Sequence, residues 1–250
     1  MNNMRNQYVD AQGNDVHPII VNVGNLNEDM SIDDVSTTFH EFGHALHGLL
    51  SKCHYPSVSG TSVKRDFVEM FSQFNENWAF QPELLALYAV NDEGEVIPQE
   101  LVDKILAASK FNQGFATTEL CAASMLDMRW HELTSVEGVD IDEFEAKVAR
   151  EIGLIPEITF RYQSTYFNHI FGGSGYDSGY YGYLWAEVLD KDAFSIFEAS
   201  PNGVWDKELA LKFKQTFLER GGSEEPAVLY REFAGREPDS RAMLSKRGLL

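Results

Sequence analysis

The feature that most constrains this chain is a pair of histidines, His40 and His44, four residues apart in an amphipathic segment. On a helix, side chains four residues apart lie one above the other on the same face. Both imidazoles can therefore reach one point beside the helix. Glu41 directly follows the first histidine, so a carboxylate lies next to the same face. The spacing predicts a helix with a concentrated set of polar, ligand-forming side chains.

The helix that carries this pair is predicted to run from about residue 31 to residue 52. Ser31 is a suitable N-cap, and the carboxylates of Asp33 and Asp34 lie in the first turn, where the helix dipole favours negative charge. Apolar side chains recur along it with helical spacing at Val35, Phe39, Phe42, Leu46 and Leu49. The histidines lie about 120–180° away from that stripe. We therefore expect the stripe to pack and the histidines to serve another purpose.

A histidine pair with this spacing and a glutamate after the first histidine is typical of zinc peptidases. A catalytic zinc ion takes three protein ligands and leaves a fourth position for water. His40 and His44 are the first two candidate ligands, and Glu41 is placed to act on that water. The candidates for the third ligand are His47, Glu69 and Glu76.

Glu69 is the best of these three candidates on helical geometry. His47 would lie on the same helix as the first two ligands, and three ligands along one straight helix enclose a tetrahedral ion poorly. Residues 64–80 form a second amphipathic pattern, and Glu69 lies about 200° round that helix from Phe67 and its aromatic stripe. Glu76 shares that face and stays an alternative. For both glutamates, a solvated surface carboxylate is the competing interpretation.

The composition argues against several classes of partner. The formal net charge is −19, which disfavours nucleic acid or an anionic membrane as the main partner. The sequence contains no apolar run near the length of a membrane span. Its two cysteines form no CxxC pair, which fits a reducing compartment. The first residues lack the apolar part of a signal peptide, so we expect a cytoplasmic protein, with a periplasmic one open if the natural N-terminus lies upstream.

The remaining periodicity predicts a mainly α fold with a minor β element. Residues 17–23 are the best candidate for a strand. Further helices are expected at residues 82–90, 98–110, 114–133, 141–152, 181–198, 205–220 and 226–234. Residues 169–183 differ, because five glycines alternate there with four tyrosines. Such glycine density is typical of a flexible or tightly folded loop.

Taken together, the motifs resemble those of the M3 family of zinc oligopeptidases, with the greatest similarity to its bacterial peptidyl-dipeptidase (dipeptidyl carboxypeptidase) branch. The resemblance covers nearly the whole chain. The motifs that carry it lie at residues 40–48, 59–61, 65–69, 72–73, 78–79, 111–115, 161–162, 166–171, 180–187 and 220–224.

The resemblance implies a role for each matching residue. His40, His44 and Glu69 match the ligands of one Zn²⁺ ion, and Glu41 matches the general base. In the Gly/Tyr loop of residues 168–184, a histidine and two tyrosines match side chains that close over the substrate. These are His169, Tyr176 and Tyr183.

The resemblance also implies an architecture and a reaction. Residues 1–250 correspond to the C-terminal catalytic part of a zincin-like helical domain, with the zinc site in residues 31–80 and without the family's N-terminal helical region. The expected activity is hydrolysis of short peptides with release of C-terminal dipeptides. Two alternatives are a catalytically silent zinc-binding fragment, which needs the N-terminal half as a partner, and an endo-acting oligopeptidase.

Overall fold

The computed structural model describes residues 1–173 and 175–250. This part of the chain is mainly helical with little strand, as the sequence predicts. The helices are α1 (Ile32–Leu49), α2 (Arg65–Glu76), α3 (Pro82–Tyr88), α4 (Gln99–Ala108), α5 (Gln113–His131), α6 (Ile141–Glu151), α7 (Asn168–Phe171), α8 (Gly182–Glu198), α9 (Lys207–Phe213), α10 (Pro226–Ala234) and α11 (Arg241–Lys246). A short π-helix, Lys214–Leu218, directly follows α9.

Four short strands near the N-terminus form two antiparallel pairs. Strand β1 (Asn2–Arg5) pairs with β4 (Ile19–Val21), and β2 (Tyr8–Val9) pairs with β3 (Asp15–Val16). The strand predicted at residues 17–23 is therefore present in a shorter form as β4. The other three strands were not predicted, because short polar segments lack the alternating apolar pattern on which such a prediction depends.

Helix α1 begins as the sequence predicts. The Ser31 hydroxyl accepts a hydrogen bond from the Asp34 amide at 3.1 Å, and the Asp34 carboxylate accepts one from the Ser31 amide at 2.9 Å. These bonds form a capping box that satisfies two free donors at the helix start. The helix ends at Leu49, a few residues before the predicted end.

The predicted packing face of α1 is only partly correct, because Val35, Phe39 and Leu46 are no more than half-buried. Phe42 and Leu49 are 52% and 46% exposed, whereas His47, which was placed on the opposite face, is fully buried. The reason is a close approach between α1 and α2. A Cβ atom on Gly43 would lie 2.7 Å from the backbone oxygen of Phe71, so only glycine permits this contact. The small side chains of α1, rather than its large apolar ones, decide which face is covered.

Helix α2 lies between α1 and the main core. Its predicted aromatic stripe is buried, and it packs against α8, α9, the π-helix and α10. The rings that form the centre of this core are Phe67, Phe71, Phe74, Phe194, Phe197, Phe213, Phe217 and Phe233. A second core cluster joins α5, α6 and α7 to the start of α8, through Leu126, Trp130, Val148, Phe167, Ile170 and Tyr180. The first cluster fixes α2, which carries Glu69. The second cluster fixes the Gly/Tyr loop, which lies against Glu69.

Candidate metal centre

Helices α1 and α2 bring three ligand-forming side chains to one point. His40 and His44 lie one turn apart on α1, and Glu69 lies on α2. The Nε2 atoms of both histidines are 3.2 Å from Oε2 of Glu69. In the described chain, these three residues are the group whose ligand atoms are close enough together to hold a metal ion.

The distances fit a tetrahedral ion better than they fit simple ion pairs. Charge-assisted hydrogen bonds are shorter, at about 2.7–2.9 Å. Ligands at about 2.0–2.1 Å from a tetrahedral zinc ion lie about 3.3 Å apart, close to the observed spacing. Both imidazoles also point at the same carboxylate oxygen. The donor set of two imidazoles and one carboxylate is one that catalytic zinc sites use.

Glu69 differs from the solvated surface carboxylate that was its competing interpretation. It is 2% exposed. Burial opposes its negative charge, but the nearby imidazoles of His40 and His44 outweigh burial and hold its pKa far below the usual range. The carboxylate is therefore ionised at neutral pH, which is the form that binds a cation.

Glu76 lies beside the metal centre but not in it. Its Oε1 is 2.7 Å from Nδ1 of His40, the ring nitrogen that faces away from Glu69. Burial alone would lower the pKa of His40, but the carboxylates of Glu69 and Glu76 together raise it to about 9. Such a carboxylate behind a ligand histidine fixes the orientation of the ring and its tautomer. The sequence showed Glu76 on the correct face but left its role open.

His47 is removed from the candidate ligands by its packing. Its ring lies against Phe71, with 4.0 Å between the ring centroids. In the described chain, neither ring nitrogen has a hydrogen-bond partner. Burial, aided by nearby His44, lowers the pKa of His47 to about 3. His47 is thus a neutral packing residue at physiological pH.

Glu41 lies next to the metal centre and is partly accessible. About a third of its side chain (34%) is exposed, and its carboxylate contacts the amino group of Met1. It directly follows His40 in α1, so it projects from the same helical turn as the first candidate ligand. The position is suitable for a group that exchanges protons with a molecule that approaches the metal from solvent.

The three predicted residues of the Gly/Tyr loop lie together over Glu69. The Tyr176 hydroxyl donates a hydrogen bond to Oε1 of Glu69. The rings of Tyr176 and Tyr183 are stacked, with centroids 5.2 Å apart and planes 11° apart. The ring of His169 is 6.1 Å from that of Tyr176 and 6.3 Å from that of Tyr183. The loop therefore covers one side of the metal centre with proton donors.

The electrostatics keep both tyrosines protonated. Burial, together with the negative charge of Glu69, raises the pKa of Tyr176 to about 12. The same two causes raise the pKa of Tyr183 still further. Burial and the positive charge of Arg161 lower the pKa of His169 below its ordinary value. At neutral pH the tyrosine hydroxyls can donate hydrogen bonds to an oxyanion.

One contact to this loop was missed by sequence reasoning. The guanidinium of Arg65 lies 4.6 Å from the centroid of the Tyr176 ring. A Cβ atom on Gly175 would lie 2.7 Å from that guanidinium, so the glycine allows the loop to approach α2. Cation–π contacts of this kind stabilise a ring position modestly. Position 65 carries no local signal for this contact, because its partner lies far along the chain.

No helix in the described chain combines the length and the hydropathy that crossing a membrane would require.

The chain is 45% identical to the dipeptidyl carboxypeptidase of Escherichia coli K12, over 94% of its own length and 36% of that protein. It is 42% identical to oligopeptidase A of Salmonella typhimurium LT2, over 87% of its own length and 32% of that protein. It is also 30% identical to a thimet-like oligopeptidase of Dictyostelium discoideum, over 97% and 37% of the respective lengths.

The chain thus spans about a third of the length of these curated relatives. Residues 1–249 match the sequence pattern of peptidase family M3. The metal-ligand group and the motifs of the Gly/Tyr loop fall within that match. This chain belongs to peptidase family M3.

Proposed function

We propose that this chain is the catalytic part of a zinc metallopeptidase that hydrolyses short peptides and releases C-terminal dipeptides. The observation that carries the proposal is the convergence of His40, His44 and Glu69 at ligand spacing, with Glu41 directly after His40 in α1. Family membership supports peptide hydrolysis. The name of the relative from Escherichia coli, dipeptidyl carboxypeptidase, supports removal of C-terminal dipeptides.

The ligand set would hold one zinc ion through both imidazole Nε2 atoms and the Glu69 carboxylate. Bound zinc supplies a Lewis acid that polarises a carbonyl oxygen and makes water more acidic. Glu76 orients His40 by its contact with Nδ1. The buried, ionised Glu69 supplies the negative charge that partly neutralises a divalent cation.

Glu41 is the proposed general base. Its carboxylate accepts a proton from the attacking water and delivers that proton to the leaving amine nitrogen. A partly exposed carboxylate can perform both transfers, because it reaches the solvent side of the site. The proton that enters at Oε2 or Oε1 leaves on the new amino terminus, so Glu41 returns to its ionised form.

Tyr183, Tyr176 and His169 are the proposed oxyanion donors. As the water adds, negative charge develops on the scissile carbonyl oxygen, and a preorganised hydroxyl stabilises that charge. Both tyrosines are protonated and lie beside Glu69, on the side where a substrate carbonyl would approach. Tyr176 donates to Glu69 in this structure, so it would exchange that bond for one to substrate.

Two alternatives stay in competition with this proposal. The relatives named oligopeptidase A and thimet-like oligopeptidase favour an endo-acting enzyme of the same family. The short span relative to the curated relatives favours a silent zinc-binding fragment, which would need the family's N-terminal region as a partner. Short peptides are the proposed substrates in both active cases.

The deciding experiment measures hydrolysis of a fluorogenic tetrapeptide by the zinc-loaded chain and by Glu41→Gln, with mass spectrometry of the products. We expect a free C-terminal dipeptide from wild type, and a rate about 10²–10⁴-fold lower for the variant. Internal cleavage of a peptide with an amidated C-terminus would favour the endopeptidase. Two equally silent proteins with full zinc occupancy would favour the fragment.

A further inference from the structure

A buried carboxylate far from the metal ligands holds the Gly/Tyr loop by its backbone. Asp127 lies on α5 and is fully buried. Its Oδ1 accepts a hydrogen bond from the Ser178 amide, and its Oδ2 accepts one from the Tyr180 amide, both at 2.9 Å. Each carboxylate oxygen thus holds a different point of the loop.

A histidine on the same helix completes the environment of this carboxylate. Nδ1 of His131, one turn after Asp127, is 2.8 Å from Oδ1 of Asp127. The His131 ring is also near Phe171, with centroids 5.9 Å apart, at the point where the Gly/Tyr loop begins. A buried carboxylate needs several such donors to offset its desolvation. Asp127 and His131 together contact the loop at two places, near Phe171 and at residues 178–180.

The backbone between the two tyrosines requires such support. Ser178 has a backbone φ of +55°. This is the left-handed region, which residues other than glycine seldom adopt. Residues held in this region persist only where the surroundings fix them. Ser178 and Tyr180 lie between Tyr176 and Tyr183 in sequence, so the conformation there sets where both rings lie relative to Glu69.

We propose that Asp127 is a positioning residue for the reaction: by fixing the amides of Ser178 and Tyr180, it places the Tyr176 and Tyr183 hydroxyls over the metal centre. This inference rests on the proposed peptidase function. The side-chain contacts of Asp127 are to Ser178, Tyr180 and His131, none of which is a candidate metal ligand. The effect of Asp127 is transmitted through two backbone hydrogen bonds, from Ser178 two residues back to Tyr176 and from Tyr180 three residues on to Tyr183.

The test is Asp127→Asn in the zinc-loaded chain, which preserves volume but places an amide NH₂ against one of the two backbone donors. Amide hydrogen exchange is measured for residues 175–183. We expect the Ser178 and Tyr180 amides to exchange at least about tenfold faster, because each loses or weakens a bond to a charged acceptor. Zinc affinity should fall by no more than about tenfold, because α1 and α2 hold the ligands themselves and only the Tyr176 bond to Glu69 is disturbed.

Asp192→Asn is the matched control. Asp192 is also a buried aspartate, 2% exposed. Its carboxylate instead accepts hydrogen bonds from the Tyr230 hydroxyl at 2.6 Å and from Nη2 of Arg236 at 2.7 Å. The control should destabilise the chain without changing exchange in residues 175–183. If Asp127→Asn fails to fold, Asp127→Glu retains the charge and displaces it by one methylene, and it should accelerate exchange at the same amides. Unchanged exchange at these amides, or a loss of protection spread equally over the chain, would overturn the proposal.

Kinetics supply the second readout. Asp127→Asn should lower kcat by at least about tenfold with KM within about threefold, since misplaced donors act on the transition state more than on binding. Asp192→Asn should leave both constants near wild type. Equal kcat for wild type and Asp127→Asn would also overturn the positioning role. Should the wild-type chain hydrolyse nothing, the proposed function fails alone, and the exchange measurement still decides the role of Asp127.

Discussion

The two helices of the metal centre and the Gly/Tyr loop both reach Glu69, but different forces place them there. Helices α1 and α2 meet at backbone contact distance at Gly43, and the ligand side chains project from rigid turns. The loop is held by the second core cluster, and beyond that by a cation–π contact from Arg65 and backbone hydrogen bonds to Asp127. Metal binding should therefore depend on helix packing, whereas turnover should depend on the loop as well.

The sharpest way to separate the two regions is Tyr183→Phe, which removes a hydroxyl of the loop and leaves the ring. We expect kcat to fall about 10²–10³-fold, as for the loss of one oxyanion donor. Zinc affinity should change little, because the Tyr183 side chain lies against Tyr176 rather than against a candidate ligand. Steady-state kinetics and a zinc competition titration measure the two quantities.

Tyr181→Phe is the control for that substitution. The Tyr181 side chain is half-exposed, and its hydroxyl donates a hydrogen bond to Asp66 at 3.2 Å. Loss of this hydroxyl should alter kcat by no more than about twofold. A Tyr183→Phe variant with wild-type kcat, or one that loses zinc, would break the proposed division between the two regions.

Glu76→Gln examines the helix side of the comparison. Gln retains the size of the side chain but loses the charge that orients His40 from behind. We expect zinc affinity to fall about 10–100-fold, as for other carboxylates behind ligand histidines. Competition with a chromophoric chelator measures this. The control is Glu224→Gln on the surface, which should leave zinc affinity unchanged. Equal zinc affinities for the two variants would show that Glu76 does not support metal binding through His40.

Gly43→Ala examines the helix contact itself. The added Cβ would lie 2.7 Å from two backbone atoms of α2, so the helices must separate. We expect a loss of about 1–3 kcal/mol in the free energy of unfolding, together with weaker zinc binding. Urea unfolding of the metal-free chain gives the first quantity.

Gly114→Ala on α5 is the matched helical glycine. A Cβ there meets nothing within 4 Å, so the substitution should be neutral or stabilise the chain by up to about 1 kcal/mol. If both substitutions have the same effect, the close approach at Gly43 does not control the packing of α1 on α2.

A further expected effect is the pH dependence of stability that His47 confers. Its pKa is about 3 in the folded chain and 6.5 as the ordinary value, so the unfolded chain binds the proton first as pH falls. His47 therefore contributes full stability above pH 6.5 and progressively less below it. Between pH 7 and pH 5 the contribution falls by about 2 kcal/mol.

The comparison with His47→Leu isolates this contribution, since other groups titrate equally in both proteins. In the metal-free chain, the difference between the two free energies of unfolding should change by about 2 kcal/mol over that pH range. A constant difference would show that His47 takes up its proton in the folded state as readily as in the unfolded one.

The two regions also differ in how far sequence predicts them. The start of α1, the position of Glu69 on α2 and the grouping of Tyr176 with Tyr183 all follow from local spacing or family motifs. The packing face of α1 was only partly correct, because an apolar stripe does not indicate that Gly43 allows a closer approach on another side. Contacts such as that of Asp127 with Ser178 span 51 residues, and no local pattern encodes them.

The central claim is that His40, His44 and Glu69 together hold one zinc ion. Anomalous diffraction at the zinc absorption edge, from crystals of the zinc-loaded chain, tests it most directly. We expect a single peak about 2.0–2.2 Å from both Nε2 atoms and from the Glu69 carboxylate, with Glu76 on the far side of the His40 ring. A peak bound by Glu76 or His47 in place of Glu69, or no peak at this point, would contradict it.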